Sequence, residues 1–252
     1  MPAPAAAIRI VDRDDPRIAL FHAVKERDRI GREGIFIAEG ASVLTVRLRS
    51  RLGVRAILIE ESRAPRLPIL EERGSAPLYL APQTVLDAIA GYHLHRGILA
   101  AGEIPPSAPL GALPAGALRL PVLVNLANHD NVGGIYRNAA AFGAAAVAID
   151  GTTADPFYRK AIRVGVGAPL IVPTIRFADP AAFLADLAAH DITPYALSPA
   201  APAPLGASTL APRAAFLLGT EGPGLPPELL EAATPLAIPI APGFDSLNVA
   251  TT

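Results

Sequence analysis

The chain of 252 residues contains no cysteine and no tryptophan. Without thiols it can build neither a disulfide framework nor a thiolate metal site, and no metal is expected. Aromatic residues make up only 5%, so a core has to come mainly from Ala, Leu, Val and Ile. Charge is scarce as well: Asp, Glu, Lys and Arg total 18%, against roughly 25% in ordinary soluble domains. No apolar run approaches the ~20 residues of a membrane span, because Pro and Gly interrupt every one. Met1 to Ala7 lack the basic and apolar regions of a secretory signal. These absences together point to a cytoplasmic protein with no membrane partner.

What is present is apolar material and arginine. Hydrophobic residues reach 51%, and Lys25 and Lys160 are the only lysines. A GC-rich genome explains an Ala-, Arg-, Gly- and Pro-rich composition; selection of Arg for phosphate recognition is the alternative. The net charge is −1, but residues 1–100 carry 15 basic against 12 acidic side chains, and residues 101–252 carry 7 against 11. That asymmetry suggests a basic binding module joined to a different one.

Short strands and helices alternate from Ile35 to Ala101: strands at 35–40, 54–59 and 77–80, helices at 41–50 and 82–90. This is the pattern of a small α/β domain spanning 8–101. Residues 102–119 hold three glycines and four prolines and read as a linker. The segment 120–252 then has near-continuously apolar strands at 122–126, 146–149, 170–173, 193–197, 214–218 and 236–240, with helices between several of them. Such runs imply a parallel sheet covered on both faces.

Three polar, glycine-bearing loops follow strands of this second sheet. The first is Asn128 to Gly143, in which Arg137 stands out from an apolar helix; the second is Gly219 to Leu225; the third is Ala241 to Asn248. In open α/β sheets the carboxyl ends of strands are where ligands bind. The GxGxxG fingerprint is absent after the first strand, so a conventional dinucleotide site is not supported. Ser246 and Asn248 read as the start of a further helix, with Asp245 or Ser246 as its N-cap.

The motifs in these loops resemble those of the SpoU/TrmH family of RNA 2′-O-ribose methyltransferases, in the SPOUT superfamily. The matching residues are Asn131, Gly133, Arg137, Ala140, Phe142 and Gly143; then Gly219, Glu221, Gly224 and Leu225; then Ile238, Pro239, Ser246, Leu247, Asn248, Val249 and Ala250. They occur in the family's order across about the last 130 residues. The segment ending Phe36-Ile37-Ala38-Glu39-Gly40 resembles, more loosely, the L30e-like RNA-binding domain that often precedes this one.

The resemblance implies an α/β fold: a C-terminal trefoil-knotted, parallel-sheet SPOUT methyltransferase domain behind a small α/β L30e-like domain. It implies S-adenosyl-L-methionine as methyl donor, a homodimer, and methylation of a ribose 2′-hydroxyl in ribosomal or transfer RNA, with ribosomal RNA favoured. Leu218, Gly219, Glu221, Gly224, Ile238, Leu247 and Asn248 would then hold the donor. Arg137, Asn131, Glu221, Ser246 and Asn248 would form the catalytic set. A guanidinium does not readily lose its proton, so Arg137 suits stabilisation of a developing alkoxide better than base catalysis. Glu221 suits a structural partner for Arg137 or for a backbone N–H. The competing readings are a helix-surface charge for Arg137 and a plain cap for Ser246. Arg159, Lys160 and Arg163 could track RNA phosphates or simply solvate a helix face. Arg27, Arg29, Arg32 and Arg96 are RNA-contact candidates in the first domain, or solvation of a loop. Family members continue past the third motif into another helix, whereas this chain reaches Thr252 about one turn beyond it. Two other classes remain: a catalytically silent RNA-binding protein of this fold, and a small-molecule-binding α/β protein.

Overall fold

The computed structural model describes residues 6–25, 34–50, 53–220, 222–244 and 246–252. Arg27, Arg29, Arg32 and Glu221 lie outside the described residues. The chain divides into two compact units, Met1–Pro105 with Phe157–Ile171, and Pro106–Pro156 with Val172–Thr252.

The first unit is built on a mixed five-stranded sheet. Its strands are β1 (Ile8–Arg9), β2 (Ile35–Glu39), β3 (Val54–Glu60), β4 (Leu78–Ala81) and β5 (Ile98–Glu103), in the order β1-β4-β3-β5-β2. Its helices are α1 (Ala41–Arg49) and α2 (Gln83–Ala90). The two-residue period of β3 sends Ala56 and Leu58 into one apolar layer with Phe21, Leu86 and Ile89. Ile57 and Ile59 go into another with Leu44 and Leu70. Ahead of β2 the chain forms a 3-10 helix, Pro16–Lys25. Phe157, Ile162 and Leu170 pack with Phe36, Ala38 and Val43. The stretch Phe157–Ile171, read from sequence as part of the 120–252 domain, therefore belongs to this unit.

Arg47 is the largest fully buried side chain of the first unit. Its Nη2 donates to the carbonyls of Gly53 (2.7 Å) and Glu103 (3.1 Å), and its guanidinium lies over the Phe36 ring, 4.7 Å from the centroid. Burial pushes it down to about 10, which leaves it charged at neutral pH. Arg47→Ala removes both carbonyl partners and opens a cavity. It is expected to destabilise the protein by about 2–5 kcal/mol, read as a lowered urea midpoint.

The second unit is a six-stranded, wholly parallel sheet. Its strands are β6 (Leu118–Leu123), β7 (Val147–Ile149), β8 (Thr174–Arg176), β9 (Thr193–Leu197), β10 (Arg213–Leu218) and β11 (Thr234–Leu236), in the order β11-β9-β10-β6-β7-β8. The chain runs outward from β6 to β8 and then returns to the opposite side. The sheet thus has a switch point between β6 and β10, which pair over six residues and carry the first and second motif loops at their carboxyl ends.

The expected linker 102–119 is partly structured: Gly102 and Glu103 end β5, Leu110–Ala112 is a 3-10 turn, and Leu118 and Arg119 begin β6. The strand read at 170–173 is not formed. Ala168–Leu170 is a 3-10 turn, and β8 begins only after Pro173, whose carbonyl accepts from Val147. The last strand lies at Thr234–Leu236, earlier than the 236–240 run.

Helix α3 (His129–Ala141) carries the first motif. Asn128 caps it by accepting from the Asp130 amide at 2.8 Å. Val132, Ile135, Tyr136 and Ala139 are buried, and the Tyr136 hydroxyl meets Thr174 Oγ1 at 2.7 Å. The remaining helices are α4 (Arg159–Val164) in the first unit, and α5 (Pro180–Ala189) and α6 (Pro227–Ala232) in the second.

Candidate active site

The loop after β6 is held by one carboxylate. Asp150, buried just past β7, accepts from the Thr153 amide (2.7 Å), the Thr152 hydroxyl (2.7 Å) and the Asn125 amide (3.1 Å). Those bonds fix Asn125 in the left-handed region, φ 57°, and turn the chain from β6 into α3.

The third motif docks on α3. Asn131 is 5% exposed, and its Oδ1 accepts from Asn248 Nδ2 at 3.0 Å. One turn on, a Cβ at Gly134 would fall 2.8 Å from the Ala250 Cβ. Another turn on, Asn138 Nδ2 donates to the Ala250 carbonyl at 2.6 Å. Positions i, i+3 and i+7 form one helix face, so a single stripe of α3 receives the C-terminal segment. Arg137, three residues after Gly134, borders that stripe. It is exposed, and no hydrogen bond or ion pair among the described residues engages it.

The helix expected from Ser246 is not formed. Asp245, one expected cap, lies outside the described residues, and Asn248 caps a single turn: its Oδ1 accepts from the Ala250 amide and its carbonyl from the Thr251 amide, both at 2.9 Å. Asn248→Ala removes the side-chain cap of this turn and one partner of the buried Asn131 amide. It is expected to cost about 1–3 kcal/mol and to weaken donor binding, measured together by thermal melting with and without S-adenosylmethionine.

A cleft of about 280 Å³ opens beside this junction at the ends of β9, β10 and β11. Of the expected donor-binding residues, Leu218, Gly219, Gly224, Ile238 and Leu247 line it, as does Ser246; Asn248 does not, being committed to Asn131. The lining also includes Leu197, which ends the strand expected at 193–197, and Ser198 and Pro199, which carry no motif in the sequence. Their signal was β9 itself, invisible as a neighbour until the strand order placed it beside β10 and β11.

The loop after β10 closes on itself, with the Gly224 amide bonded to the Thr220 carbonyl at 3.0 Å. A Cβ on Gly219 would lie 2.5 Å from the Leu225 nitrogen and closer still to the Gly224 carbonyl carbon. The walls combine apolar side chains and glycines with the hydroxyls of Ser198, Thr220 and Ser246 and, among the described residues, carry no charged side chain. That donor set suits a flat heterocycle recognised by backbone polar groups, with an extended polar chain. Among the described residues no group of three or more His, Asp or Glu could hold a metal ion, and no helix is long and apolar enough to cross a membrane.

The RNA-contact candidates differ from one another. Arg159 is partly buried, lies 3.5 Å from the buried Glu39 and stacks over Tyr92. Its guanidinium is thus engaged within the first unit. Lys160, Arg163 and Arg96 are exposed.

The class so defined is an α/β domain with a ligand cleft at the carboxyl ends of a parallel sheet. Comparison with known proteins narrows it: residues 120–252 match the SpoU rRNA Methylase family, and the chain belongs to that family. An uncharacterized tRNA/rRNA methyltransferase of Mycobacterium bovis is 36% identical over 252 residues, covering 96% of this chain and 87% of the relative. An AdoMet-bound rRNA methyltransferase from Sinorhizobium meliloti has the same fold, with a TM-score of 0.84 at 21% identity over 97% of this chain and 94% of that one. An RNA 2′-O ribose methyltransferase structure aligns with a TM-score of 0.80 at 26% identity, over 97% and 94%.

Proposed function

We propose that the protein methylates a ribose 2′-hydroxyl in structured RNA, most directly ribosomal RNA, using S-adenosyl-L-methionine. The observation that carries this reading is the docking of the first motif on the third beside the glycine-walled cleft, through Asn131–Asn248 and Asn138–Ala250. It leaves Arg137, which no described residue engages, at the edge of that junction.

In this reading Leu218, Gly219, Gly224, Ile238 and Leu247 hold the donor, with Leu197 and Ser198 completing the wall. S-adenosylmethionine, when bound, supplies a methyl group already activated by its sulfonium. The protein's contribution is then alignment and charge stabilisation. Arg137 stabilises the negative charge that grows on the ribose oxygen as its proton passes to water. Asn131 and Asn248 hold each other and fix the spacing between donor and acceptor sides. Ser246, exposed at the cleft, faces the donor's polar chain. Glu221 serves as a partner for Arg137 or for the loop backbone.

The first unit acts as an L30e-like RNA-binding domain and the second as a SPOUT methyltransferase domain, whose loops at 219–225 and 238–248 complete a trefoil knot. The methyltransferase unit pairs as a homodimer. Its exposed Phe142 (86%) and Phe244 (74%) supply apolar surface for that pairing. The protein works in the cytoplasm.

The test is transfer of labelled methyl groups from the donor into total cellular RNA, followed by separation of ribosomal from transfer RNA. Label in ribosomal RNA is expected. Label confined to transfer RNA reassigns the substrate. Donor binding without transfer to either fraction favours a silent RNA-binding protein.

A further inference from the structure

The first unit contains a concavity of its own, about 570 Å³. Ser42, Ser62, Arg63, Arg66, His95 and Arg96 supply its polar lining, and among the described residues no carboxylate lines it. Arg66 and Arg96 are exposed and make no hydrogen bond or ion pair among the described residues. Arg63 is braced: its Nη2 donates to the His95 carbonyl at 2.9 Å, which ties two walls of the groove together. The nearest carboxylates are already engaged. Glu60 accepts from the Ser62 amide (3.0 Å) and hydroxyl (2.5 Å) and lies 3.8 Å from Arg63 Nε, and Glu39 pairs with Arg159. Glu60, near both Arg63 and Arg66, sets one negative charge against three guanidiniums, so the groove keeps a net positive charge.

The position of Arg96 adds a second argument. It packs against Gly40, where a Cβ would lie 2.9 Å from its Cδ and Nη1. Gly40 is the N-cap of α1, and no side chain caps that helix. A guanidinium is therefore held against the positive end of a helix dipole, beside unsatisfied backbone amides. Cations converging on that end repel one another and it, unless an anion sits among them.

We infer that this groove binds phosphate groups of the RNA backbone, with Arg66 and Arg96 as the direct contacts, Arg63 and His95 as the frame, and the start of α1 as an additional donor. The inference rests on the RNA reading above and deepens it, adding Arg63, Arg66, His95 and Ser42 to a region where sequence singled out only Arg96. The groove positions RNA without reading its bases, because phosphate contacts carry no sequence information.

The test is binding of the full chain to deproteinised total ribosomal RNA across a salt series of about 50–200 mM. Two double variants are compared with the parent protein. Arg66→Ala with Arg96→Ala removes the groove contacts. Arg13→Ala with Arg49→Ala removes the same charge from exposed ion pairs elsewhere on the unit. The groove variant is expected to bind roughly tenfold more weakly, with a plot of log K against log salt shallower by about 1.8, at ~0.9 per phosphate. The other variant keeps the parent's slope. Equal slopes for the two variants, or a groove variant identical to the parent, overturn the groove while leaving the RNA reading intact. A parent protein that binds S-adenosylmethionine but no RNA overturns both.

Discussion

Arg137→Ala is expected to lower the rate of RNA methylation by about 10²–10³-fold, the usual cost of removing one group that stabilises developing oxyanion charge. Donor affinity should stay nearly unchanged. The expectation follows from where Arg137 sits. It is exposed on α3, bordering the stripe of Asn131, Gly134 and Asn138 that receives the third motif. No described side chain is engaged by its guanidinium, so its loss should cost little stability. The variant therefore separates chemistry from folding: single-turnover rate falls while the melting temperature and the Kd for S-adenosylmethionine hold. Arg137→Lys retains the charge but loses the planar fork, and should recover part of the rate. An Arg137→Ala protein that methylates at the parent rate would make this residue a surface charge.

Gly219→Ala should produce the opposite separation. The added methyl group would meet the Gly224 carbonyl and the Leu225 nitrogen, which are backbone atoms with no rotamer to escape into. The loop must open, and its Thr220–Gly224 hydrogen bond is lost with it. Overpacking of this kind costs about 1–3 kcal/mol. If that cost falls on the donor-bound conformation, affinity weakens by roughly 10- to 100-fold. Titration calorimetry with S-adenosylmethionine measures this directly. RNA affinity, carried mainly by the first unit in this account, should change little. A Gly219→Ala protein that binds the donor normally would mean that the cleft at β10 is not the donor site.

Much of this arrangement was legible in the sequence, for reasons that can be named. The strands β9 and β10 were visible because buried parallel strands are apolar without interruption. The three motif loops are visible because each follows such a run with glycine and polar side chains. What was not legible is what depends on three-dimensional adjacency. Nothing in the run 193–197 says that its end lies beside Leu218 and Ile238, so Ser198 and Pro199 were missed. The apolar run at 170–173 reads as a strand, but its neighbours pack under β2, and Pro173 has no N–H for a ladder. Ile238 and Ile240 are apolar because they line a cleft, not because they extend β11. Asn248 looked like part of a helix start facing the donor. In the structure it is a turn cap and the partner of Asn131, a pairing across 117 residues that local pattern does not encode. Arg159 looked like a phosphate contact until Glu39 and Tyr92 were found against it.

The most direct test of the central claim is the chemical position of the methyl group. RNA labelled from methyl-tritiated S-adenosylmethionine by the full chain is hydrolysed with alkali, which cleaves a phosphodiester only where a free 2′-hydroxyl can attack it. The account predicts that the label is recovered in alkali-resistant dinucleotides, and that Arg137→Ala removes it. Label recovered in single nucleotides, with the methyl group on a base, would contradict the account.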